Sequence, residues 1–189
     1  VPRETITRVV EIAGRSPSWC NVQPWHLTIV GGNRLTALSE RLLAHARSHA
    51  AEPDFAFPSG YSGPRQARRR ECGFQLYDSV GITRENREGA RLQSLENFRF
   101  FGAPHAAILT SHRELGPYGG VDCGGFLAAF LLAARSLGVD TIPQAAVAAS
   151  PELLRDELGL GDDRQVICAI SFGHADESHP ANSFRTRRA

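Results

Sequence analysis

The sequence predicts an α+β fold with about four strands and six helices. Apolar residues recur at helical spacing in several segments, the first of them from Pro2 to Gly14. Short β-branched stretches of strand length stand between these segments, the clearest being 165–172. No internal repeat, low-complexity tract or long linker divides the 189 residues. We therefore expect a single domain covering residues 1–189.

Capping residues and glycines set the bounds of the helices. Asn33, Thr83 and Ser150 are N-cap candidates, Pro2 suits a first turn, and Gly138 suits a helix end. The predicted helices are 2–14, 33–51, 64–80, 84–97, 119–137 and 150–158. The segment 126–134 is apolar throughout, which predicts a helix buried on all sides, in a domain centre or at a subunit interface.

Four segments have the pattern of strands. The predicted strands are 26–30, 105–110, 139–142 and 165–172. The first alternates and is closed by two glycines, and Pro143 is expected to stop the third. The fourth is continuously apolar, which is typical of a strand in the centre of a sheet.

Composition excludes several classes of protein. Apolar residues make up 42% and charged residues 22%, and the net charge is +1, so no global field attracts nucleic acid or an anionic membrane. No apolar run approaches the roughly 20 residues that span a bilayer, and no secretory signal opens the chain. The four cysteines are far apart, which favours reduced thiols in a cytoplasmic protein. The histidines form no metal-binding pattern, so no metal is expected.

Three surface segments invite a functional interpretation. The loop 15–26 holds two tryptophans and two prolines, so it is stiff and has amide groups to offer a ligand. The Pro/Gly-rich loop 52–63 carries three aromatic residues and is either a cover over a site or a loop tied down by its rings. The arginines at 65–70 suggest nucleic-acid binding, but the near-neutral net charge favours a solvated helix face.

The sequence also resembles the nitroreductase family of FMN-dependent flavoproteins. The resemblance is carried by five blocks in order: Pro17-Ser18-Trp19-Cys20-Asn21-Val22-Gln23-Pro24-Trp25 after the early helix, 76–82 with Arg84, 97–104, a late block of Asp122 leading into the apolar helix and then 137–144, and Gly173 with Asn182, Arg185 and Arg188. The first block is similar to that of the branch acting on nitroaromatic compounds. The family's Arg-x-Ser-x-Arg segment would precede the first helix, so we expect the ends of this chain to be trimmed.

The resemblance implies a three-layer α-β-α sandwich, with a mixed, mostly antiparallel sheet around a buried central helix. It implies a homodimer with FMN sites at the interface and NADH or NADPH as electron donor. Roles follow position by position. Arg15, Arg185 and Arg188 would bind the FMN phosphate; Ser18, Trp19 and Asn21 would hold the ribityl chain and pyrimidine edge; Pro143, Gln144 and Ala145 would lie along the flavin ring.

The sequence offers no catalytic side-chain constellation, which agrees with a bound flavin that carries the chemistry. Phe100 and Phe101 are either core residues or the wall of a substrate pocket. By resemblance, the expected function is hydride transfer from NAD(P)H, through FMN in a ping-pong sequence, to small nitroaromatic or quinone acceptors. The alternatives are other flavin chemistry on the same scaffold, such as flavin fragmentation for cobalamin-ligand synthesis or reductive dehalogenation, and a non-catalytic flavin-binding dimer.

Overall fold

A computed structural model of the chain describes residues 1–187. Within that range the chain has six α-helices and four β-strands, as the sequence predicts. The helices are α1 (Arg3–Ala13), α2 (Gly32–Ser48), α3 (Gly63–Ser79), α4 (Arg87–Leu95), α5 (Gly116–Ser136) and α6 (Pro151–Leu158). The strands are β1 (His26–Gly31), β2 (His105–His112), β3 (Asp140–Gln144) and β4 (Arg164–Gly173).

The chain divides into two compact units. The first comprises Val1–Ala56 and Asn97–His174, and it contains the sheet with α1, α2, α5 and α6. The second comprises Phe57–Glu96 and the segment from Ala175 onward, and it contains α3 and α4. The expectation that residues 1–189 form a single domain stays a prediction.

The four strands form one antiparallel sheet in the order β1-β2-β4-β3. The continuously apolar strand β4 is central, and six of its last seven positions are buried, as its sequence predicts. The expectation that Pro143 stops β3 is wrong, because Pro143 lies within the strand and pairs with Ile170. Proline is tolerated there because β3 is an edge strand, whose outer side needs no ladder hydrogen bond.

A β-bulge interrupts the pairing of β2 and β4. Leu109 pairs with Cys168, but the next residue, Thr110, pairs with Val166, so Ile167 is an extra residue on β4. Side chains alternate between the two faces of a sheet along a strand. The extra residue therefore moves the side chains of β4 that precede it to the opposite face from the one that regular alternation would give. Val166 consequently packs on the same face as Ala169.

Helices cover both faces of the sheet in the first unit. On one face, α1 and α5 pack against alternate residues of β2 and β4, including Leu109 and Ile170. On the other face, α2 and α6 pack against the intervening residues, including Ile108 and Ala169. This arrangement is the expected three-layer α-β-α sandwich.

The apolar helix α5 is buried on one side only. Phe126 and Phe130 are in the core, whereas Leu132 is 73% exposed and Val121 is 66% exposed. Of the two settings that the sequence suggests for this helix, the centre of a domain is therefore wrong, and burial at a subunit interface stays a prediction. By length and composition alone, the segment Arg113–Ser136 is apolar enough to cross a bilayer, a property that core helices share.

Each helix starts within three residues of its predicted start, and the largest shifts are those of α4 and of α5, which begins at Gly116 and not at Gly119. Asn86, not Thr83, caps α4, and its side chain accepts a hydrogen bond from the Gly89 amide at 2.8 Å. Helix α2 begins at Gly32, before the predicted cap Asn33. Shifts of one to three residues are usual at helix ends, where the hydrogen-bond ladder frays.

We expect Gly119→Ala to lower the free energy of unfolding by about 1–3 kcal/mol, the usual cost of overpacking a core. A Cβ atom at Gly119 would overlap Ser111 Oγ and lie 3.0 Å from Leu115 Cβ, so either the buried Ser111 side chain on β2 or helix α5 would have to shift. Urea unfolding measures the change. Gly73→Ala is the matched control, since a Cβ atom there meets nothing within 4 Å. An equal effect of both substitutions would contradict the prediction.

Candidate functional site

The loop between α1 and β1 is held in an unusual backbone conformation. Cys20, Asn21 and Gln23 have positive φ angles of 48°, 58° and 48°. Such angles cost non-glycine residues roughly 1–3 kcal/mol each and persist only where surrounding contacts enforce them. Backbone strain of this kind concentrates at ligand-binding sites, which agrees with the prediction that this loop is functional.

Hydrogen bonds within the loop and to α5 enforce this conformation. The Ser18 hydroxyl oxygen accepts from the Gln23 amide at 2.9 Å, and the Ser18 carbonyl accepts from the Asn21 amide at 3.0 Å. The Trp19 amide donates to Asp122 Oδ2 on α5 at 3.0 Å. The indole ring of Trp19 packs at 5.0 Å from the ring of Tyr118. The loop is therefore fixed before any ligand arrives.

The loop presents a cation and an aromatic surface to solvent. Arg15 is exposed just after α1, and within the described residues its guanidinium has no hydrogen bond or ion pair. Trp19 is 62% exposed. Trp25, in contrast, is partly buried and stacks on the core residue Phe126 at 5.1 Å, so its ring has a structural role.

The end of β3 is a second part of the candidate site. Pro143 and Ala145 are exposed and Gln144 between them is buried. The Gln144 amide nitrogen donates to the Asn97 carbonyl at 2.7 Å, and the Ser171 hydroxyl donates to the Gln144 side-chain oxygen. The side chain of Gln144 is thus committed to the core, and its backbone is the part left to face a ligand.

The paired phenylalanines take different positions. Both have positive φ angles, 53° for Phe100 and 51° for Phe101. Phe100 is fully buried in the core beneath α2, whereas Phe101 is 37% exposed. Of the two alternatives raised by the sequence, Phe100 is a core residue, and Phe101 alone has a surface to offer a substrate.

The structure brings together only some of the predicted residues. Arg15, Ser18, Trp19 and Asn21 share the loop before β1. The strand pairings place that loop and the end of β3 at the same end of the sheet, but on its two opposite edges. The candidate phosphate ligand Arg185 is exposed in the second unit, where its guanidinium donates to the Asn182 and Phe184 carbonyls at 3.1 and 2.6 Å. Arg188 lies outside the described residues.

Two contacts that support the site were not predicted from the sequence. The Asp122 carboxylate accepts a hydrogen bond from the Trp19 amide, although the two residues are 103 positions apart in the sequence. The ring of Tyr118 packs against the ring of Trp19. Asp122 stands at the start of one of the resemblance blocks, but no local pattern shows that it would bind this loop. Tyr118 has no sequence signal at all.

Two histidines, each the first residue of a strand, predict a pH dependence of stability. Burial, with smaller contributions from Arg164 and His112, lowers the pKa of His26 below its ordinary value. Burial also lowers the pKa of His105, with a smaller contribution from the N-terminal amino group. The unfolded chain therefore binds more protons than the folded chain at mildly acidic pH.

We expect the free energy of unfolding to be highest above the ordinary pKa of histidine and to fall as the pH decreases from about 7 to about 5. Urea unfolding at several pH values measures this slope. The double variant His26→Gln/His105→Gln should flatten it. A slope that is unchanged in the double variant, or stability that rises on acidification, would contradict the assignment.

Comparison with known proteins places the chain in a class. The Nitroreductase family matches residues 1–174. The chain is 34% identical to nitroreductase NfnB of Mycolicibacterium smegmatis, covering 100% of this chain and 81% of that protein. It is also 34% identical to a 4-nitrobenzoate reductase of Pseudomonas putida, covering 100% of this chain and 83% of that protein. The chain therefore belongs to the nitroreductase family.

A solved structure extends the similarity to three dimensions. The crystal structure of the FMN-dependent nitroreductase NfnB from Mycobacterium smegmatis in complex with NADPH superposes with a TM-score of 0.94. The match has 34% sequence identity and covers 100% of this chain and 85% of that one. The fold described above is thus that of an FMN-dependent relative.

Proposed function

We propose that this protein is an FMN-dependent oxidoreductase that uses NAD(P)H to reduce nitroaromatic compounds, with quinones as a second class of acceptor. The similar proteins support this proposal, since one is an FMN-dependent nitroreductase crystallised with NADPH and another is a 4-nitrobenzoate reductase. The observation that carries it in this chain is the strained, pre-formed loop from Ser18 to Gln23 beside an unpaired arginine.

The residues of the loop fit a flavin mononucleotide. The Arg15 guanidinium has no partner among the described residues, and a planar guanidinium binds phosphate oxygens with two parallel hydrogen bonds. The Asn21 side chain offers an amide for the polar edge of a flavin, and the exposed Trp19 ring offers an apolar surface. When bound, FMN supplies hydride transfer between the nicotinamide and the acceptor in a ping-pong sequence.

The side chains and backbone of the protein would bind the FMN, orient its ring and contact the acceptor. Arg15, with Arg185 and Arg188, is proposed to hold the phosphate, and Ser18, Trp19 and Asn21 to hold the ribityl chain and pyrimidine edge. Pro143 and Ala145, with the Gln144 backbone between them, would form a wall along the ring, and the exposed part of Phe101 would contact a planar acceptor. No catalytic side chain is assigned, since the flavin carries the electrons.

We propose that two copies of the chain form a homodimer that shares these groups. The loop before β1 and the end of β3 belong to opposite edges of the sheet, about 14 Å apart at three inter-strand spacings. A two-fold pair can bring the loop of one copy to the β3 edge of the other. The exposed apolar residues Val121 and Leu132 of α5 give such a pair a surface to bury. Sedimentation at equilibrium tests it: a purely monomeric protein would refute the shared site.

Steady-state kinetics test the proposed reaction. The protein, reconstituted with FMN, is assayed for oxidation of NADPH at several fixed concentrations of 4-nitrobenzoate, with apoprotein as the control. We expect parallel lines in double-reciprocal plots, the pattern of a ping-pong sequence, and loss of turnover without FMN. Folded protein that retains flavin but passes no electrons to nitro compounds or quinones would instead indicate the non-catalytic alternative.

A further inference from the structure

Helix α5 carries a single charged side chain in its apolar part. Between positions 116 and 134 the only charged residue is Asp122, and its neighbours are mostly apolar residues and glycines. Aspartate is a poor helix former, so propensity does not favour it there. Its side chain is half-buried, and within the described residues it has no ion pair. The charge is therefore not explained by the helix itself.

The Asp122 carboxylate contacts the loop before β1. Its Oδ2 atom accepts a hydrogen bond from the Trp19 amide at 3.0 Å. Within the described part of the chain, this is the only hydrogen bond that joins residues 18–23 to an element distant in the sequence, because their other hydrogen bonds are local. One helical turn earlier, the Tyr118 ring packs against the Trp19 ring. One face of α5 therefore holds both the backbone and the ring of Trp19.

The hydrogen bond lies next to the strained part of the loop. Trp19 directly precedes Cys20 and Asn21, whose φ angles are 48° and 58°. Two successive non-glycine residues in the left-handed region persist only where other contacts outweigh the strain. A hydrogen bond to a carboxylate is about twice as strong as one between neutral groups. Asp122 can therefore offset part of this strain and hold the turn in place.

We propose that Asp122 is a positioning residue, whose carboxylate keeps the turn at Cys20 and Asn21 in its strained conformation and thereby sets the affinity of the loop for FMN. The inference rests on the proposed function, which assigns FMN to this loop. Asp122 acts through the Trp19 backbone and not by contact with the flavin. A loop that already has its bound conformation loses less conformational freedom when a ligand binds. Without the carboxylate the turn would relax, and FMN would have to restore it.

Fluorescence titration of apoprotein with FMN compares Asp122→Ala and Asp122→Asn with the wild type. We expect Kd to rise about tenfold or more for the alanine variant, since a hydrogen bond to a charged group is lost. The asparagine variant keeps an oxygen acceptor without the charge, so its Kd should rise less. The control, Asp156→Ala, removes an exposed carboxylate from α6 and should leave Kd unchanged. Equal Kd values for Asp122→Ala and the control would overturn the proposal.

Amide hydrogen exchange of the flavin-free protein separates a positioning role from a general effect on stability. We expect the amides of residues 18–23 to exchange about tenfold faster in Asp122→Ala than in the wild type, and the amides of β2 and β4 to exchange at unchanged rates. The asparagine variant should lie between the two.

Two results of the exchange measurement would overturn the proposal. Weaker FMN binding with unchanged exchange in residues 18–23 would show that Asp122 acts on the flavin directly. Equally faster exchange in the loop and in the sheet would show that Asp122 only stabilises the fold. A wild-type protein that binds no FMN, with a loop that exchanges faster in Asp122→Ala, would support the role of Asp122 in the loop and refute the proposed function.

Discussion

Replacing Asp54 with alanine is expected to lower the free energy of unfolding by about 3–5 kcal/mol, the usual cost of breaking a buried ion pair by removing one partner. The Asp54 carboxylate is only 6% exposed and lies 2.9 Å from the Arg155 guanidinium, which is itself 12% exposed. One oxygen also accepts from the Val166 amide at 2.8 Å, and the other lies 3.2 Å from Arg113. The substitution would leave the buried Arg155 guanidinium without its carboxylate and the buried Val166 amide without its acceptor.

The position of Asp54 explains why the effect is large. Val166 is the β4 residue next to the bulge, where the ladder with β2 is irregular. Arg155 on α6 donates both to Asp54 and to the Arg164 carbonyl, so one carboxylate joins the loop after α2, helix α6 and the bulge. The side chain therefore holds together elements that the sheet alone does not connect.

Urea unfolding of two further variants sharpens the test of Asp54. Asp54→Asn keeps an oxygen acceptor but loses the charge, so its loss of stability should be intermediate. Asp162→Ala removes an exposed carboxylate two positions before Arg164 and should change stability by less than about 0.5 kcal/mol. If Asp54→Ala were as stable as Asp162→Ala, the proposed stabilisation of the bulge by the Asp54 carboxylate would be wrong.

Arg15→Gln is expected to weaken FMN binding by about 1.5–3 kcal/mol, or roughly ten- to a hundredfold in Kd, the range for a hydrogen bond to a charged group. The Arg15 side chain is exposed and has no partner within the described residues, so its loss should leave the fold intact. Fluorescence titration of apoprotein with FMN measures Kd. The result would separate a ligand-binding role from a structural one, since only the former predicts lost affinity at unchanged stability.

Two controls accompany the Arg15 variant. Arg15→Lys keeps the charge without the planar fork and should recover part of the affinity. Arg3→Gln removes an exposed charge at the other end of α1 and should leave Kd unchanged. Equal Kd values for Arg15→Gln and Arg3→Gln would show that Arg15 does not contact the phosphate.

Local patterns predicted the elements of this fold well. Alternation and apolar runs located all four strands, and helical spacing located all six helices of the described chain. The first resemblance block also identified the loop that the structure shows to be strained at Cys20, Asn21 and Gln23. These features are encoded within a few neighbouring residues, which is why a single sequence reveals them.

Features that depend on distant partners were not predictable. Pro143 remains in a strand because the strand order puts β3 at an edge, and that order is set by long-range pairing. The amide of Val166 donates to Asp54, which lies 112 positions away in the sequence. The side chain of Gln144 is buried because it forms hydrogen bonds with the Ser171 hydroxyl and the Asn97 carbonyl. The exposed side of α5 likewise reflects what surrounds the helix, not its composition.

An anaerobic titration tests the central claim most directly, namely that this chain binds FMN and uses it to move electrons from NAD(P)H to a nitro compound. The purified protein is reconstituted with FMN, freed of excess flavin, and titrated with NADPH while its visible absorbance is recorded. The account predicts retained flavin, loss of the oxidised-flavin absorbance on addition of NADPH, and its return on addition of 4-nitrobenzoate. A protein that keeps no flavin, or whose flavin absorbance is unchanged by either nucleotide donor, would contradict the account.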